Sequence, residues 1–92
     1  MPKKSNWNIQ NPPKFSKNAI KEFNSFEAKE KKRIQKLIRS IYLDGLLEGI
    51  GKPEYLKHIK SYSRRIDTEN RLIYSIDLEG NLCIESLIGH YI

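Results

Sequence analysis

Cysteine and histidine are scarce in this chain of 92 residues, which contains one cysteine and two histidines. A single thiol excludes an internal disulfide, and the apolar neighbours of Cys83, Leu82 and Ile84, indicate a buried thiol in a protein of a reducing compartment. So few nitrogen and sulfur ligands, without metal-ligand spacing, give weak support for a metal site. We therefore expect chemistry that uses neither a metal nor a cofactor.

Long apolar runs are missing as well. No part of the sequence approaches the roughly 18 apolar residues that a membrane-spanning helix needs. Residues 1–6 carry positive charge but are followed by no apolar stretch of the kind found in a secretory signal. The sequence therefore predicts a cytoplasmic protein without membrane contact. Its length predicts one domain over residues 1–92, with a small core and with residues 1–6 disordered.

Acidic side chains are outnumbered by basic ones, 11 to 17, which gives a net charge of +6. The excess lies in residues 1–50, with 11 basic and 5 acidic side chains, whereas residues 51–92 carry 6 of each. This balance favours an anionic partner, either nucleic acid or an acidic protein, although charge alone leaves a merely solvated basic surface equally open. The cations that could attract a polyanion include Lys29, Lys31, Lys32, Arg33, Lys36 and Arg39.

Two amphipathic helices are predicted before residue 45. Ser16 has the residue type of an N-cap and would start a short helix with Ala19, Ile20 and Phe23 on one face. A longer second helix is predicted over residues 26–43, because apolar side chains recur at steps of three and four while basic residues fill the other side. These apolar residues are Ile34, Leu37, Ile38, Ile41 and Tyr42.

The ends of the second helix also have sequence signals. Asn24 and Glu27 have the spacing of a capping box, and Gly45 can adopt the left-handed conformation of a helix C-cap. The two helices would form an antiparallel hairpin with a basic outer face. Such a face is often only solvated, so both solvation and binding of an anionic partner remain open for it.

Strands are predicted at both ends of the chain. Residues 7–10 alternate apolar with polar side chains, as a strand does. Pro12 and Pro13 restrict any strand there to a sheet edge, and the strand can resume at Phe15. Three further strands, over residues 61–67, 71–77 and 82–88, have short connections typical of an antiparallel meander. Helices followed by strands indicate the α+β class, with the helix pair packed on one face of an antiparallel sheet of three to four strands.

Alternation along these strands predicts which side chains share a face. Leu72 and Tyr74 fall on one face, which the helices would cover, and Arg71 falls on the other, where a cation is tolerated in water. Arg64 and Arg65 must point in opposite directions, so only one of them can share the open face with Arg71.

In the last strand, alternation places Leu87 with Cys83 and Glu85 on one side and separates His90 from Tyr91. The two C-terminal side chains can come to the same side only if the strand twists or ends before residue 89. The glycine at that position permits such a break.

A set of side chains suited to catalysis lies in the second half of the chain. Glu54 could accept a proton from a ribose hydroxyl, and His90 could protonate a leaving oxygen near neutral pH. Arg65 and Arg71 could hold a phosphate through paired N–H donors, and Tyr91 could stack on a base or donate to a phosphate. Such a set would suit a ribonuclease that needs no metal. A plain surface or tail role is the alternative for each residue.

Four sequence blocks around these residues resemble a known family. They are Gly-Lys-Pro-Glu at 51–54, Ser-Arg-Arg-Ile at 63–66, Glu-Asn-Arg-Leu-Ile-Tyr at 69–74 and His-Tyr at 90–91. In this order and spacing they are similar to the YoeB/Txe branch of the RelE superfamily, the toxins of bacterial toxin–antitoxin pairs, over roughly residues 15–91. The chain departs from that pattern in its longer start, in Ser61-Tyr62 before the second block, and in Ile92 after the last block.

The resemblance implies a RelE-like microbial ribonuclease fold and an enzyme that cuts mRNA in the ribosomal A site by attack of a ribose 2′-hydroxyl on the adjacent phosphorus. It implies Glu54 as the general base, Arg65 and Arg71 as phosphate-binding residues, His90 as the general acid, and Tyr91 as the aromatic partner.

The resemblance also implies contacts beyond the catalytic set. Lys52 and Lys57 match basic positions that flank the family's glutamate, and together with Arg64 they are the predicted RNA-contacting residues. The implied partners are a small YefM/Axe-like antitoxin with an acidic tail and the ribosome with its mRNA, and a homodimer is allowed. The alternative is a non-catalytic RNA- or protein-binding module of the same fold. The joint presence of Glu54, Arg65, Arg71 and His90 favours an enzyme.

Overall fold

In the computed structural model, which describes Trp7 and residues 9–89, two helices pack on a five-stranded mixed sheet. Along the chain the elements are β1 (Lys14–Phe15), α1 (Lys17–Ser25), α2 (Ala28–Asp44), β2 (Glu54–Leu56), β3 (Ser61–Arg65), β4 (Arg71–Ile76) and β5 (Leu82–Ser86). The strand order across the sheet is β1-β5-β4-β3-β2. The α+β class and the helix pair on one sheet face are confirmed. The disorder predicted for residues 1–6 concerns a segment outside the described residues.

The first helix begins where the sequence predicted. Ser16 is its N-cap, and the Ser16 hydroxyl accepts a hydrogen bond from the backbone N–H of Ala19 at 2.9 Å. Only two residues separate α1 from α2, because α1 continues to Ser25. The predicted capping box of Asn24 with Glu27 is therefore wrong, since Asn24 still belongs to α1. The box forms instead between Glu27, the N-cap of α2, and Glu30.

The second helix ends at the predicted glycine but not in the predicted conformation. Gly45 has φ 108° and ψ 174°, which lies outside the left-handed helical region. Its N–H still caps the helix by donating to the carbonyl of Ile41 at 3.0 Å. Its own carbonyl accepts a hydrogen bond from the side chain of Arg64 at 2.7 Å, so the chain leaves the helix toward the sheet.

The sheet differs from the prediction at both edges. The meander of β3, β4 and β5 is confirmed, with strands shorter than expected. β1 adds parallel to β5, with Lys14 opposite Cys83 and Phe15 opposite Ile84, and an unpredicted β2 adds antiparallel to β3. Residues 9–10 lie in a turn, because Pro12 and Pro13 delay the edge strand until Lys14. The prediction of an entirely antiparallel sheet of three to four strands is therefore wrong.

The hydrophobic core lies between the two helices and the covered face of the sheet. Its fully buried side chains include Ala19, Ile34, Leu37, Ile41, Leu72, Tyr74, Leu82, Ile84 and Leu87. The helical members follow the predicted spacing of three and four residues. In a core this small, replacing Leu37 with alanine would cost about 2–5 kcal/mol of unfolding free energy.

A β-bulge in β5 changes which side chains face the core. Ile73 lies opposite Ser86 while Tyr74 lies opposite Ile84, so Glu85 has no partner in the register. The extra residue reverses the alternation after Glu85, and Leu87 becomes fully buried in the core. The prediction that Leu87 lies on the same side as Cys83 and Glu85 is wrong for this reason.

Within the described ranges, 7 and 9–89, neither helix is long and apolar enough to cross a membrane.

Candidate active site

The loop that carries the chain from α2 to β2 has an unusual backbone. Gly49, Gly51 and Lys52 have φ angles of 102°, 87° and 52°, and the two glycines supply conformations that other residues rarely adopt. At Gly51 a Cβ atom would come within 2.6 Å of Leu37 Cδ2. Its carbonyl also accepts a hydrogen bond from the backbone N–H of Arg65 at 2.7 Å. The loop is therefore fastened to β3 immediately before Glu54.

Arg64 lies in the core and holds this loop from the inside. All five N–H groups of its fully buried guanidinium group donate hydrogen bonds, at 2.6–3.0 Å. The acceptors are the carbonyls of Gly45, Glu48 and Ile50, the hydroxyl of Ser40 and the phenol oxygen of Tyr74. The carbonyl at the end of α2 adds the negative pole of the helix dipole.

The prediction that Arg64 contacts RNA is therefore wrong. A fully buried guanidinium group with every donor engaged has nothing left to offer a phosphate. Arg64 lies opposite Leu72 in the register, on the face that the helices cover. Alternation along the strand was the signal that could have found this role, since it required one of the two neighbouring arginines to point toward the core.

Arg65 and Arg71 lie on the open face and come directly opposite each other across β3 and β4. Arg65 is exposed, whereas the side chain of Arg71 is only 16% exposed. Arg33 on α2 donates to the carbonyl of Arg65 at 3.2 Å and so fixes that end of β3. Two cations of like charge held side by side favour a shared anion between them.

Glu54 completes this group of charges from the edge strand. The Glu54 Oε1 atom lies 3.5 Å from Arg71 Nη1, and the glutamate side chain is 61% exposed. An open groove of about 410 Å³ contains these charges. Its walls are formed by Glu54, Tyr55, Leu56, Lys57, His58, Arg65 and Arg71. The predicted base and both predicted phosphate-binding arginines thus share one groove.

Other predicted site residues have different positions relative to the groove. Lys57 is exposed on the groove wall, and Lys52 is exposed on the loop that leads into β2. Neither Tyr55 nor His58 was predicted from the sequence to be a site residue, yet both line the groove. Neither belongs to a periodic segment that would have predicted its orientation.

The C-terminal segment returns to the same end of the sheet. The side chain of Glu22 accepts hydrogen bonds from the N–H groups of Leu87 and Ile88 at 2.7 and 3.1 Å. Gly89 donates to the side chain of Asn70 at 2.9 Å, and its carbonyl accepts from the N–H of Arg71 at 2.9 Å. The described chain therefore ends at the strand that carries Arg71. The predicted residues His90 and Tyr91 lie outside the described residues.

The pKa values of the fully buried Tyr74 and of the half-buried Cys83 suit structure more than chemistry. The thiol of Cys83 is thus less buried than its apolar neighbours predicted. Burial raises the pKa of the Tyr74 phenol, although the adjacent Arg64 partly lowers it, so the phenol keeps its proton. That proton is donated to the carbonyl of Leu46 at 2.6 Å. Burial and the nearby carboxylate of Asp77 raise the pKa of the Cys83 thiol, which disfavours the thiolate that a nucleophile would need.

Comparison with known proteins identifies the family. Residues 15–91 match the family model of the YoeB-like toxins of bacterial type II toxin–antitoxin systems. The chain belongs to this YoeB toxin family. It is 45% identical to the toxin YoeB of Synechocystis sp. over 71 residues, which cover 75% of this chain and 80% of the cyanobacterial protein. The predicted family membership is confirmed.

Solved structures support the same conclusion. In a heterotetrameric YoeB–YefM toxin–antitoxin complex from Staphylococcus aureus, a 41% identical chain superposes with a TM-score of 0.76, covering 87% of this chain and 97% of the other. A YoeB dimer from S. aureus is 39% identical, with a TM-score of 0.77 and coverage of 95% and 100%. The archaeal RelE–RelB complex from Pyrococcus horikoshii is 20% identical over 84% of this chain and 91% of that chain. Its TM-score of 0.59 shows the shared fold.

Proposed function

We propose that this YoeB-family toxin is a ribosome-dependent mRNA endoribonuclease. The observation that carries the proposal is the joint placement of Glu54, Arg65 and Arg71 in one open groove, with Glu54 paired to Arg71. The groove brings a carboxylate that can accept a proton next to two guanidinium groups that can hold a phosphodiester. The protein would act in the cytoplasm, where translating ribosomes are found.

In the proposed reaction, Arg65 and Arg71 bind the two free oxygens of the scissile phosphate and stabilise the charge that grows on them. Glu54 takes the proton of the adjacent ribose 2′-hydroxyl, and the 2′-oxygen forms a bond to phosphorus. The bond from phosphorus to the 5′-oxygen of the next nucleotide breaks, and His90 gives that oxygen a proton. The products are a 2′,3′-cyclic phosphate and a free 5′-hydroxyl.

The remaining predicted residues assist this reaction. Tyr91 would pack against a base or donate to the phosphate, next to His90. Lys52 and Lys57 would contact the backbone of the RNA, since both are exposed close to Glu54. The hydrogen bond between the Gly89 carbonyl and the N–H of Arg71 supports a role for the C-terminal residues, because it fixes the preceding residue at the groove strand.

The same proposal includes a protein partner. The S. aureus relatives are a YoeB–YefM complex and a YoeB dimer, so we propose a YefM-like antitoxin for this chain and allow a homodimer. The antitoxin would carry carboxylates that pair with Arg65 and Arg71 and exclude the phosphate from the groove. The net charge of +6 supports an acidic partner segment.

The decisive experiment adds the purified protein to translating ribosomes and maps the 5′ ends of the mRNA. The parent chain should cut within codons that occupy the A site, whereas a Glu54→Gln variant should cut at least about a hundredfold more slowly. A parent chain that binds ribosomes without cutting would contradict the proposal and would favour the non-catalytic binding module.

The nucleophile and the absence of a metal requirement are tested separately. A message with a 2′-deoxy sugar at the scissile position should resist cleavage, because the proposed nucleophile is missing. A chelator should leave the cleavage step unchanged as long as the ribosome stays intact. Cleavage of the deoxy message would instead indicate attack by water.

A further inference from the structure

Ser63 lies in the centre of the sheet and has a hydroxyl group without a partner. Its side chain is fully buried, and within the described residues the hydroxyl oxygen makes no hydrogen bond. The large majority of buried side-chain hydroxyl groups do make one, because burial removes the hydrogen bonds that water would supply. The neighbour opposite Ser63 on β4 is Ile73, which is buried and apolar and offers no acceptor from its side chain. The hydroxyl of Ser63 is thus a donor in reserve.

The strand register places this hydroxyl beside the charged groove. Ser63 lies directly opposite Glu54 of β2, and Arg65 follows two positions later on the same face of β3. Arg71 lies opposite Arg65, so the ion pair from Glu54 to Arg71 crosses β3 between Ser63 and Arg65. Side chains directly opposite each other in antiparallel strands have Cβ atoms about 4.5–5.5 Å apart. The Glu54 carboxylate can therefore reach either Arg71 or Ser63.

These two partners suit two different states of the site. In the free protein, Glu54 Oε1 lies 3.5 Å from Arg71 Nη1. A phosphate held by Arg65 and Arg71 would take over that guanidinium group and leave the carboxylate without its partner. A general base acts well only from a fixed position. The hydroxyl of Ser63 can donate to one carboxylate oxygen and leave the other oxygen free to accept a proton.

We propose that Ser63 is a positioning residue, which binds the Glu54 carboxylate once a phosphate has engaged Arg71. This inference rests on the proposed function and adds to it a residue that acts through the general base. A serine is also small, and its size alone could serve to let the ion pair cross β3. Alanine is equally small but has no hydroxyl, so the Ser63→Ala variant separates the two explanations.

The first test measures mRNA cleavage on ribosomes. Ser63→Ala should lower kcat at least about tenfold, the scale of a lost hydrogen bond to a charged group, and should leave KM unchanged because the arginines still hold the phosphate. In a Glu54→Gln background the same substitution should have no further effect, since the base that it positions is gone. The free Ser63→Ala protein should be at least as stable to urea as the parent, because it loses a buried hydroxyl that has no partner.

Ser61→Ala is the matched control. Ser61 is buried on the same face of β3, two positions before Ser63, and lies opposite Leu56 instead of Glu54. Its hydroxyl already has acceptors at 3.3 Å, in the carbonyl of Ile59 and in the carboxylate of Glu85. This variant also loses a buried hydroxyl from the central strand, yet it should cleave mRNA at the parent rate.

The second test needs no cleavage. In a crystal structure of the protein with a short RNA that has a 2′-deoxy sugar at the scissile position, a Glu54 oxygen should lie within hydrogen-bond distance of Ser63 Oγ. A Glu54 carboxylate that stays on Arg71, or a groove without RNA, would overturn the inference. A parental kcat of Ser63→Ala, or a loss of stability in that variant, would overturn it as well. A parent that cleaves no mRNA but turns Glu54 to Ser63 in the RNA complex would overturn the nuclease and leave the hydrogen bond between Ser63 and Glu54 standing.

Discussion

Arg71 and Glu54 form an ion pair across an intervening strand: Arg71 Nη1 on β4 lies 3.5 Å from Glu54 Oε1 on β2, with β3 between them. In the free protein, the carboxylate therefore occupies part of the site that a phosphate would use. In the proposed reaction, a phosphate that binds Arg71 would compete with Glu54, and its arrival would free the carboxylate to accept a proton. Neither charge is completely buried, since the side chains of Arg71 and Glu54 are 16% and 61% exposed.

The first prediction concerns Arg71. Arg71→Ala should lower the rate of mRNA cleavage by at least about a hundredfold, because it removes a donor that stabilises charge on the phosphate. The matched control is Lys21→Ala, which removes an exposed cation of α1 outside the groove and should cleave at the parent rate. Circular dichroism should be the same for all three proteins. Full activity of the Arg71 variant would remove this residue from the mechanism.

A second prediction separates the two neighbouring arginines. Arg64→Met should lower the unfolding free energy by about 3–5 kcal/mol, because it leaves five acceptors, two of them in the core, without their donor. Arg65→Met should change stability by no more than about 0.5 kcal/mol, since Arg65 is exposed, but it should reduce cleavage. Urea unfolding measures the first effect and mRNA cleavage the second. Equal stability of the two variants would contradict the structural role of Arg64.

A third prediction concerns acid stability and the turn between β4 and β5. The backbone N–H of Asn81 lowers the pKa of Asp77, with further help from the side chain of Asn81 and the N–H of Glu79. Because the pKa of Asp77 is lowered in the folded state, its ionised carboxylate stabilises the fold at pH values above the unfolded pKa of about 4. This stabilisation is lost as the pH falls from that value through the lower pKa of the folded state. The advantage of the parent over Asp77→Asn should therefore be present at pH 7 and shrink in acid.

The measurement for this prediction is the unfolding free energy at several pH values between neutral and strongly acidic solution. Glu79→Gln provides the control, since it removes an exposed carboxylate from the same turn while Asp77 keeps its partners. A difference between the parent and Asp77→Asn that stays constant with pH would show that the charge of Asp77 is not responsible.

The fourth prediction concerns the antitoxin. If its carboxylates pair with the groove arginines, Arg65→Ala and Arg71→Ala should each weaken binding of the product of the neighbouring gene. Binding should also raise the unfolding temperature of the toxin, because a partner of the folded state stabilises it by mass action. Titration calorimetry with Lys21→Ala as the control measures the first effect. Unchanged affinity of both groove variants would mean that the antitoxin inhibits from another surface.

The sequence predicted the helices well because their signal is repeated along many residues. Ile34, Leu37 and Ile41 recur with the helical period and are all fully buried. A strand of two or three residues has no such period, so neither the parallel partner of β1 nor the existence of β2 could be predicted. The groove residue Tyr55 was missed for the same reason, because its orientation depends on β2.

The site was predicted in part. Alternation required one of Arg64 and Arg65 to share a face with Arg71, and the register of β3 with β4 confirms that Arg65 does. Alternation did not say how a buried arginine could be tolerated. The answer depends on three carbonyls of the loop after α2, whose positions arise only in the folded chain. The bulge at Glu85 was likewise invisible, because an extra residue leaves no trace in a strand of five residues.

Both outer strands of the sheet begin directly after a proline, and both are short. β1 has two residues and follows Pro13, and β2 has three residues and follows Pro53. A short edge offers few unpaired backbone groups to a second chain, and a proline next to it cannot donate a hydrogen bond to one. At high concentration, protein molecules without a bound partner therefore offer few free backbone groups to the sheet edge of a second molecule. We expect them to resist assembly into fibrils.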